Sequence, residues 1–433
     1  MTDPFPTVEL PLIDLTIRMF TEPRLEGDSA LLYRINSDEA LSKNERLYAL
    51  GVGERDLASA DKFAAILEAE GVEVAYKPGK LKPIPALAQS DQFMQELLDH
   101  DDERIRELAQ ARLDVKSTIN ETRSARIGGM ADRGGLTVYL NYCGAHTRRW
   151  SGGDGVNFQN LGRRSDLRKA LRAPAGFLLA CPDQSQGECR ILNWLAGQED
   201  VVERFAKGED PYLPMASRIY YERITDPKDP RRQAGKVAEL QLGFGSGWQK
   251  FQASAKRAGV ELSDEKAQFA VSEYRRTHHK VTRLWREADG VLLDLHQWQQ
   301  GVKWHGLTID DGRLVHPNGT WLDYRSLRWQ EGEWRLYGRY DSWSKMYGSK
   351  LIENIVQWLS RIVTAEAMMK FAKAGYPVVG MAHDDVWLLV PEAEAYGSSF
   401  HEERIIGIMS ETPSWAPGLP LAAECKIGKT YGG

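Results

Sequence analysis

Residues 377–390 read Pro377-Val378-Val379-Gly380-Met381-Ala382-His383-Asp384-Asp385-Val386-Trp387-Leu388-Leu389-Val390. An apolar run, a polar tip and a second apolar run predict a β-hairpin whose tip sets two carboxylates side by side. Upstream, Gly176 to Cys181 (GFLLAC) is another short apolar run, the pattern of a buried strand. It ends at Pro182-Asp183. Ser185-Gln186-Gly187-Glu188 then fits an S-x-x-E capping box, opening a helix through Ile191, Leu192, Trp194 and Leu195. Asp183 is therefore expected at a strand end just before a helix, a place that favours chemistry. Two carboxylates from adjacent strands can hold a pair of Mg²⁺ ions about 4 Å apart, clamping the attacking and leaving oxygens of a phosphoryl transfer. Spacing alone equally allows a capping Asp183 and a solvated turn at 383–385.

Working outward, Gly348 to Lys373 has the period of an amphipathic helix. Residues 302–345 are expected to be β-rich. Their turn signals are Asp310-Asp311-Gly312, Pro317-Asn318-Gly319 and Glu331-Gly332-Glu333. Eight of the thirteen tryptophans lie between Trp285 and Trp358, and most read as packing residues. Residues 206–300 are helical, with a loop at Thr225 to Pro230 and one long helix from about Ser263 to Gln297. Residues 28–125 are mostly helical too, with periodic stretches at 61–70 and 91–113 and a loop from Lys77 to Ala86. From Gly134 to Arg163 the chain is glycine-rich, with TVYLNY as a strand candidate.

The 433 residues are 42% hydrophobic and 27% charged, an ordinary composition for a soluble globular chain. No apolar run approaches the roughly 18 residues of a membrane span. Met1 to Phe20 carries Asp3, Glu9 and Asp14 and no basic region, so it does not read as a signal peptide. Cys143, Cys181, Cys189 and Cys425 form no CxxC pair, which points to reduced thiols in a cytoplasm and away from a zinc ribbon. The net charge of −5 argues mildly against nucleic acid. Bulk charge, however, is silent about a local basic track or an acidic site that offsets it.

Two further constellations carry charge in patterns that suit chemistry. Arg232, Lys236, Leu240 and Phe244 are each four apart and would share one helix face. Two cations followed by apolar residues suit a triphosphate with a base or sugar beyond it, although a solvated helix with a packed apolar end fits as well. Arg148-Arg149-Trp150-Ser151, Asn157-Phe158-Gln159-Asn160, and Arg163, Arg164, Arg168, Lys169 and Arg172 form a basic, amide-rich stretch. Such groups can reach minor-groove acceptors and phosphates, or can simply be a solvated surface. Gly428-Lys429-Thr430 is not a phosphate loop, because position 423 is alanine and no helix can follow.

The order of these segments resembles the polymerase region of the DNA polymerase I family (family A), in a short phage-like form. Thr147-Arg148-Arg149-Trp150-Ser151 with Asn157-Phe158-Gln159-Asn160 resembles its T-G-R-x-S…N-x-Q-N segment. Asp183 to Arg190 resembles motif A, Arg232-x3-Lys236-x7-Phe244-Gly245 motif B, Glu353 to Gln357 a duplex-contacting segment, and His383-Asp384-Asp385 motif C. Lys116-Ser117-Thr118 and the helical region before it resemble a compact thumb.

The resemblance implies an α+β right-hand polymerase fold with an antiparallel palm sheet and helical thumb and fingers. The implied segments are 1–25 (palm and thumb approach), 26–125 (thumb), 126–205 (palm), 206–350 (fingers with a small β-rich unit) and 351–433 (palm). Asp183 and Asp384 would bind two Mg²⁺ ions, with Mn²⁺ the substitute, and Asp385 would support them. Lys236 and Arg232 would take the triphosphate, Leu240 would belong to the same substrate-binding set, and Phe244 would sit by the nascent pair. Glu188 would gate against a ribose 2′-OH, and Tyr212 would stand in the dNTP site. Arg149, Gln159, Asn160, Gln357 and His383 would contact the primer-template. The implied protein is a cytoplasmic monomer of a bacterial or phage-infected cell, not bound to membrane, that extends primers on template DNA with dNTPs. No proofreading exonuclease is expected, since Asp101-Asp102-Glu103, the one D-x-E, lies in a charged helical stretch.

Departures from the family pattern are Arg148 for Gly, Gln184 for an aromatic, Gly187 for Ile, and Leu240 for Phe or Tyr. Leu240 implies low sensitivity to dideoxynucleotides. Two other readings fit the same residues. One is a primer-template binding protein impaired by the Gln184, Gly187 and Asp385 changes, Asp385 standing where the family has Glu. The other is an HD-type metal phosphohydrolase using His383-Asp384 with His278 or His279.

Overall fold

The computed structural model describes residues 6–79, 82–117, 119–162, 165–338, 342–395 and 400–433. Thr118, Arg163 and Arg164 of the stretches above lie outside the described residues. The chain divides into two compact units. One gathers the N-terminal segment to Arg24, Thr137–Asn160 and Ala173–Gly433; the other holds Leu25–Leu136 and Leu161–Arg172.

The smaller unit is helical. Its main helices are α1 (Ser29–Leu50), α2 (Ala60–Ala69), α3 (Glu103–Lys116) and α4 (Ile119–Ala131). Leu57, Phe63, Leu67, Met94, Leu97 and Leu108 form its apolar core. Two expectations are corrected here. The stretch 91–113 is two helices, Gln92–Leu98 and α3, because Asp102 accepts from the Arg104 amide and caps a new start. The loop 77–86 closes as a minimal hairpin, with Tyr76 opposite Pro85 and Lys77 opposite Ile84.

The larger unit is built around a four-stranded, wholly antiparallel sheet. Its strands are β1 (Phe177–Gln184), β2 (Val378–Ala382), β3 (Asp385–Pro391) and β4 (Ala423–Gly428), in the order β2-β3-β1-β4. The expected strand and hairpin supply three adjacent members, β2 at one edge and β3 and β1 inside. β1 runs two residues further than Pro182, so Asp183 lies on the strand rather than after it. Consecutive residues of β1, β2 and β3 are buried, which is why each reads as a continuous apolar run rather than an alternation. TVYLNY, in contrast, contributes only Leu140–Asn141 to a two-residue pairing.

Among the helices of this unit are α5 (Gly187–Ala196), α6 (Leu213–Tyr220), α7 (Arg232–Leu242), α8 (Asp264–Thr277), α9 (His279–His296) and α10 (Gly348–Lys373). α10 has the expected bounds but is not amphipathic. Leu351, Ile355, Trp358, Leu359, Ile362 and Phe371 are buried on several sides, so the helix is the central post of the core. The expected long helix 263–297 breaks at His278, whose ψ of 49° separates α8 from α9. The His278 ring is buried, stacked on Tyr274 at 4.0 Å. Residues 302–346 form two small antiparallel sheets, one of four strands and one of three, with turns at the expected places. Among the described residues, no helix is long and apolar enough to cross a membrane.

Candidate active site

The site is built on the meeting of β1 and β3. Their register sets Asp385 directly opposite Asp183, so both side chains leave the same face of the sheet, their Cβ atoms about 5 Å apart. Asp384 occupies the hairpin turn, where its carbonyl accepts from the Gln184 amide at 3.4 Å. His383, at the tip, takes a left-handed φ of 61°, which is how a two-residue turn reverses the chain.

Three features hold this hairpin. A Cβ on Gly380 would lie 2.2 Å from the Trp387 ring, so only glycine lets that indole cross the hairpin. Trp387 is fully buried and packs on Tyr431 at 4.4 Å. The Tyr431 hydroxyl in turn donates to Asp385 Oδ2 at 2.8 Å and orients that carboxylate. Tyr431 was invisible in the sequence, since nothing links position 431 to a hairpin tip except the fold. On the other side of β1, Glu424 of β4 lies opposite Asp183 and adds a third acid to the row. The row spans two strand spacings, about 10 Å, so its ends do not share an ion.

The donor set is hard oxygen. Among the described residues no group of three or more His, Cys, Asp or Glu is poised around an ion. Carboxylate oxygens such as those of Asp183, Asp384 and Asp385 fit a hard divalent cation.

The turn after Asp183 differs from the expected capping box. The residue before α5 is Gln186, left-handed at φ 52°, and no side chain caps the helix. Arg190 fixes the turn instead, donating to Ser185 O and Pro420 O, each at 2.7 Å. Glu188, freed from capping, accepts from Arg149 in an ion pair. Burial of the His383 ring and then the Arg149 charge hold that imidazole below its usual range, and so in the neutral form. Arg149, Gln159 and His383, scattered over 235 positions of sequence, line one small crevice with Trp150, Ser360 and Arg361. Asn160 is exposed beside it in sequence.

Arg361, which lines this crevice, belongs to a buried ion pair that the sequence did not flag. The Arg361 side chain is wholly buried and donates to both Glu9 oxygens, at 2.8 and 2.5 Å. Burial raises the Glu9 carboxyl, but Arg361 and the Tyr142 hydroxyl outweigh it and leave it lowered. The one available signal was an arginine within the apolar run of α10. Gln357, on the same helix, is half-buried and donates to Glu353 at 3.4 Å.

Helix α7 carries Arg232, Lys236 and Leu240 one turn apart. It ends at Leu242, so Phe244 lies beyond it on a glycine turn, packed against the core. This corrects the expectation of one continuous face. Gly235 lies between the two cations, where a Cβ would meet Tyr212 O at 2.1 Å, so α7 approaches the start of α6 to backbone contact. Arg232 donates to Asp210 at 2.5 Å and covers the ring of Tyr212 at 4.8 Å. Tyr212 is buried beneath it, a support for Arg232 rather than an exposed contact. Among the described residues Lys236 makes no ion pair, and Leu240 is 41% exposed. His383-Asp384 belongs to a hairpin, and His278 is buried against Glu239 at 3.3 Å. The helical arrangement that the phosphohydrolase reading needs is therefore not formed.

Comparison with known proteins adds a family, two relatives and a structural neighbour. The sequence profile of DNA polymerase family A matches residues 35–290, more than half of the chain. A DNA polymerase of Bacillus phage SP02 is 32% identical over 284 residues, which cover 61% of this chain and 43% of that protein. The thermostable DNA polymerase I of Thermus aquaticus is 28% identical over 307 residues, covering 69% of this chain and 32% of that one. The chain thus spans less than half the length of these relatives. In fold it is similar to the POL domain of Pol1 from M. smegmatis, solved in complex with DNA primer-template and dNTP. The TM-score is 0.73 at 18% identity, over 98% of this chain and 70% of that one.

Proposed function

This chain belongs to DNA polymerase family A, and from that premise we propose that it adds dNTPs to a primer 3′-OH under template direction, releasing pyrophosphate. The observation that carries the reading is the β1–β3 register, which brings Asp183, Asp384 and Asp385 together from two distant segments. Asp183 and Asp384 are the carboxylates that would hold two Mg²⁺ ions, which when bound activate the 3′-OH and neutralise the leaving oxygen. Asp385, oriented by Tyr431, supports them from its place opposite Asp183.

Lys236 and Arg232 bind the triphosphate and stabilise charge as pyrophosphate leaves. Arg232 exchanges its Asp210 partner for phosphate oxygens. Leu240 and Phe244 border the new base pair. Glu188 excludes a 2′-OH, and its pairing with Arg149 couples sugar selection to the group that reads the primer end. Arg149, Gln159 and neutral His383 offer donors and acceptors to minor-groove base edges, Asn160 and Gln357 flank them, and backbone charge holds the duplex without strong sequence preference. The proposal includes no proofreading by this chain; its D-x-E caps helix α3 rather than lying on a strand.

The test is primer extension on a recessed DNA primer with Mg²⁺ and dNTPs, supplied singly and together, with Asp183→Ala as control. Templated extension that vanishes in Asp183→Ala is expected, with no shortening of unextended primer. Salt-sensitive primer-template binding without extension would instead establish the impaired binding protein, a reading motivated by Gln184, Gly187 and Asp385. Absence of both would overturn the polymerase reading.

A further inference from the structure

We propose that the outer face of the three-stranded sheet at 327–346 binds single-stranded DNA, the unpaired part of the primer-template. The inference deepens the polymerase reading and takes its biological meaning from it. The strands are Leu327–Gln330, Glu333–Gly338 and Ser342–Met346. Leu327, Leu336 and Met346 are buried and anchor one face to the core. The register then fixes what the opposite face carries. Arg328 lies opposite Arg335, and Arg335 opposite Lys345, so three cations stand abreast across three strands. Two residues along, on the same face, Tyr337 lies opposite Trp343.

Those two rings are 42% and 45% exposed and tilt together at 5.1 Å. Like charges directly opposite one another destabilise a sheet. Large aromatics left in water forgo the burial that made tryptophan a core residue elsewhere in this unit. Glu333 relieves part of the repulsion, at 3.0 Å from Arg335 and 2.6 Å from Lys345, and Glu331 lies 2.8 Å from Arg335. Such exposed pairs are weak and yield readily to a competing anion. Among the described residues Arg328 donates to the backbone carbonyls of Arg325 and Leu327.

A row of cations beside a pair of open rings matches one occupant by its chemistry. A single strand offers phosphates at regular intervals to the cations and unpaired bases to stack on the rings, without preference for sequence. A duplex offers the phosphates but keeps its bases stacked on each other. The location agrees: the third strand leads directly into α10, which carries Gln357 roughly 14 Å from its first residue.

The experiment uses the whole chain without nucleotides, measuring anisotropy of labelled oligo(dT) and of a blunt hairpin duplex. Wild type is expected to bind oligo(dT). Tyr337→Ala with Trp343→Ala should weaken that binding about tenfold or more, leaving duplex binding and extension across a one-nucleotide overhang at wild-type levels. Tyr337→Phe with Trp343→Phe should retain oligo(dT) affinity, separating stacking from misfolding. Arg328→Gln with Lys345→Gln should lower the slope of log affinity against log salt by about 1. Unchanged oligo(dT) affinity in the double alanine variant, or no oligo(dT) binding by wild type at low salt, would overturn the proposal. Failure of wild type to extend primers while this binding persists would remove the polymerase reading alone.

Discussion

Arg148 sits where the family segment T-G-R has glycine, and its φ of 60° gives the reason for that glycine. A non-glycine residue pays about 1–2 kcal/mol for the left-handed region. Arg148 offsets this by covering the Trp321 ring at 5.3 Å and donating to Trp321 O at 3.3 Å. Arg148→Gly is therefore expected to be more stable than Arg148→Ala by about 1 kcal/mol in urea titrations; equal stabilities would mean that no strain resides there. Gln184 and Gly187, two departures that look independent in sequence, form one packing unit. Gln184 is buried, neither of its amide atoms has a hydrogen-bond partner among the described residues, and a Cβ on Gly187 would lie 3.0 Å from its Oε1. Gln184→Leu should stabilise the fold by about 1 kcal/mol, because the orphaned amide is removed. In a double-mutant cycle with Gly187→Ala the two changes should couple by at least about 0.5 kcal/mol. Additive effects would refute the contact.

At the scale of elements, the decisive contact is α6 against α7. Gly235 brings the two within backbone contact, which places Arg232 over Tyr212 and beside Asp210. Gly235→Ala inserts a methyl where the opposing atoms are backbone, which cannot rotate away. A loss of about 1–3 kcal/mol is expected. On the proposed assignment of Arg232 and Lys236 to the triphosphate, KM for dNTP should rise more than kcat falls, because those cations shift while the carboxylates on β1 and β3 stay. A thermal melt and a dNTP titration check both. The bounds of α10 and of the hairpin were legible because apolar period and turn residues are local. The break at His278 was not. Its cause is a side chain stacked on Tyr274 and held against Glu239 from another helix, while the periodicity runs through it unbroken.

For the molecule as a whole, acid sensitivity should trace in part to His316. Its ring is buried against Trp415 at 4.6 Å and Trp358 at 5.8 Å, and Nδ1 accepts from the Asn318 amide. Burial pushes its pKa down to about 4. Because the folded value lies below the unfolded one, the unfolded chain takes up the proton first. Stability is thus lost as pH falls from 6.5 toward 4 and is steady below that. Between pH 7 and pH 5 the wild type should lose about 2 kcal/mol more than His316→Asn; parallel pH profiles would assign the acid sensitivity elsewhere.

The amino-acid sequence by itself determined the strands, the hairpin, most helices and the identity of the acids, cations and amides that the family reading uses. These follow from local rules: apolar period, turn residues and short ordered motifs. Only the tertiary structure decided the pairing of Asp385 with Asp183, the hold of Tyr431 on Asp385, the buried Arg361–Glu9 pair and the release of Glu188 from its cap to Arg149. It alone turned Trp343 and Tyr337 outward onto a cationic face. Each of these is a contact between residues far apart in the chain, set by strand register and helix packing, and a one-dimensional pattern carries no record of which distant side chain will arrive opposite.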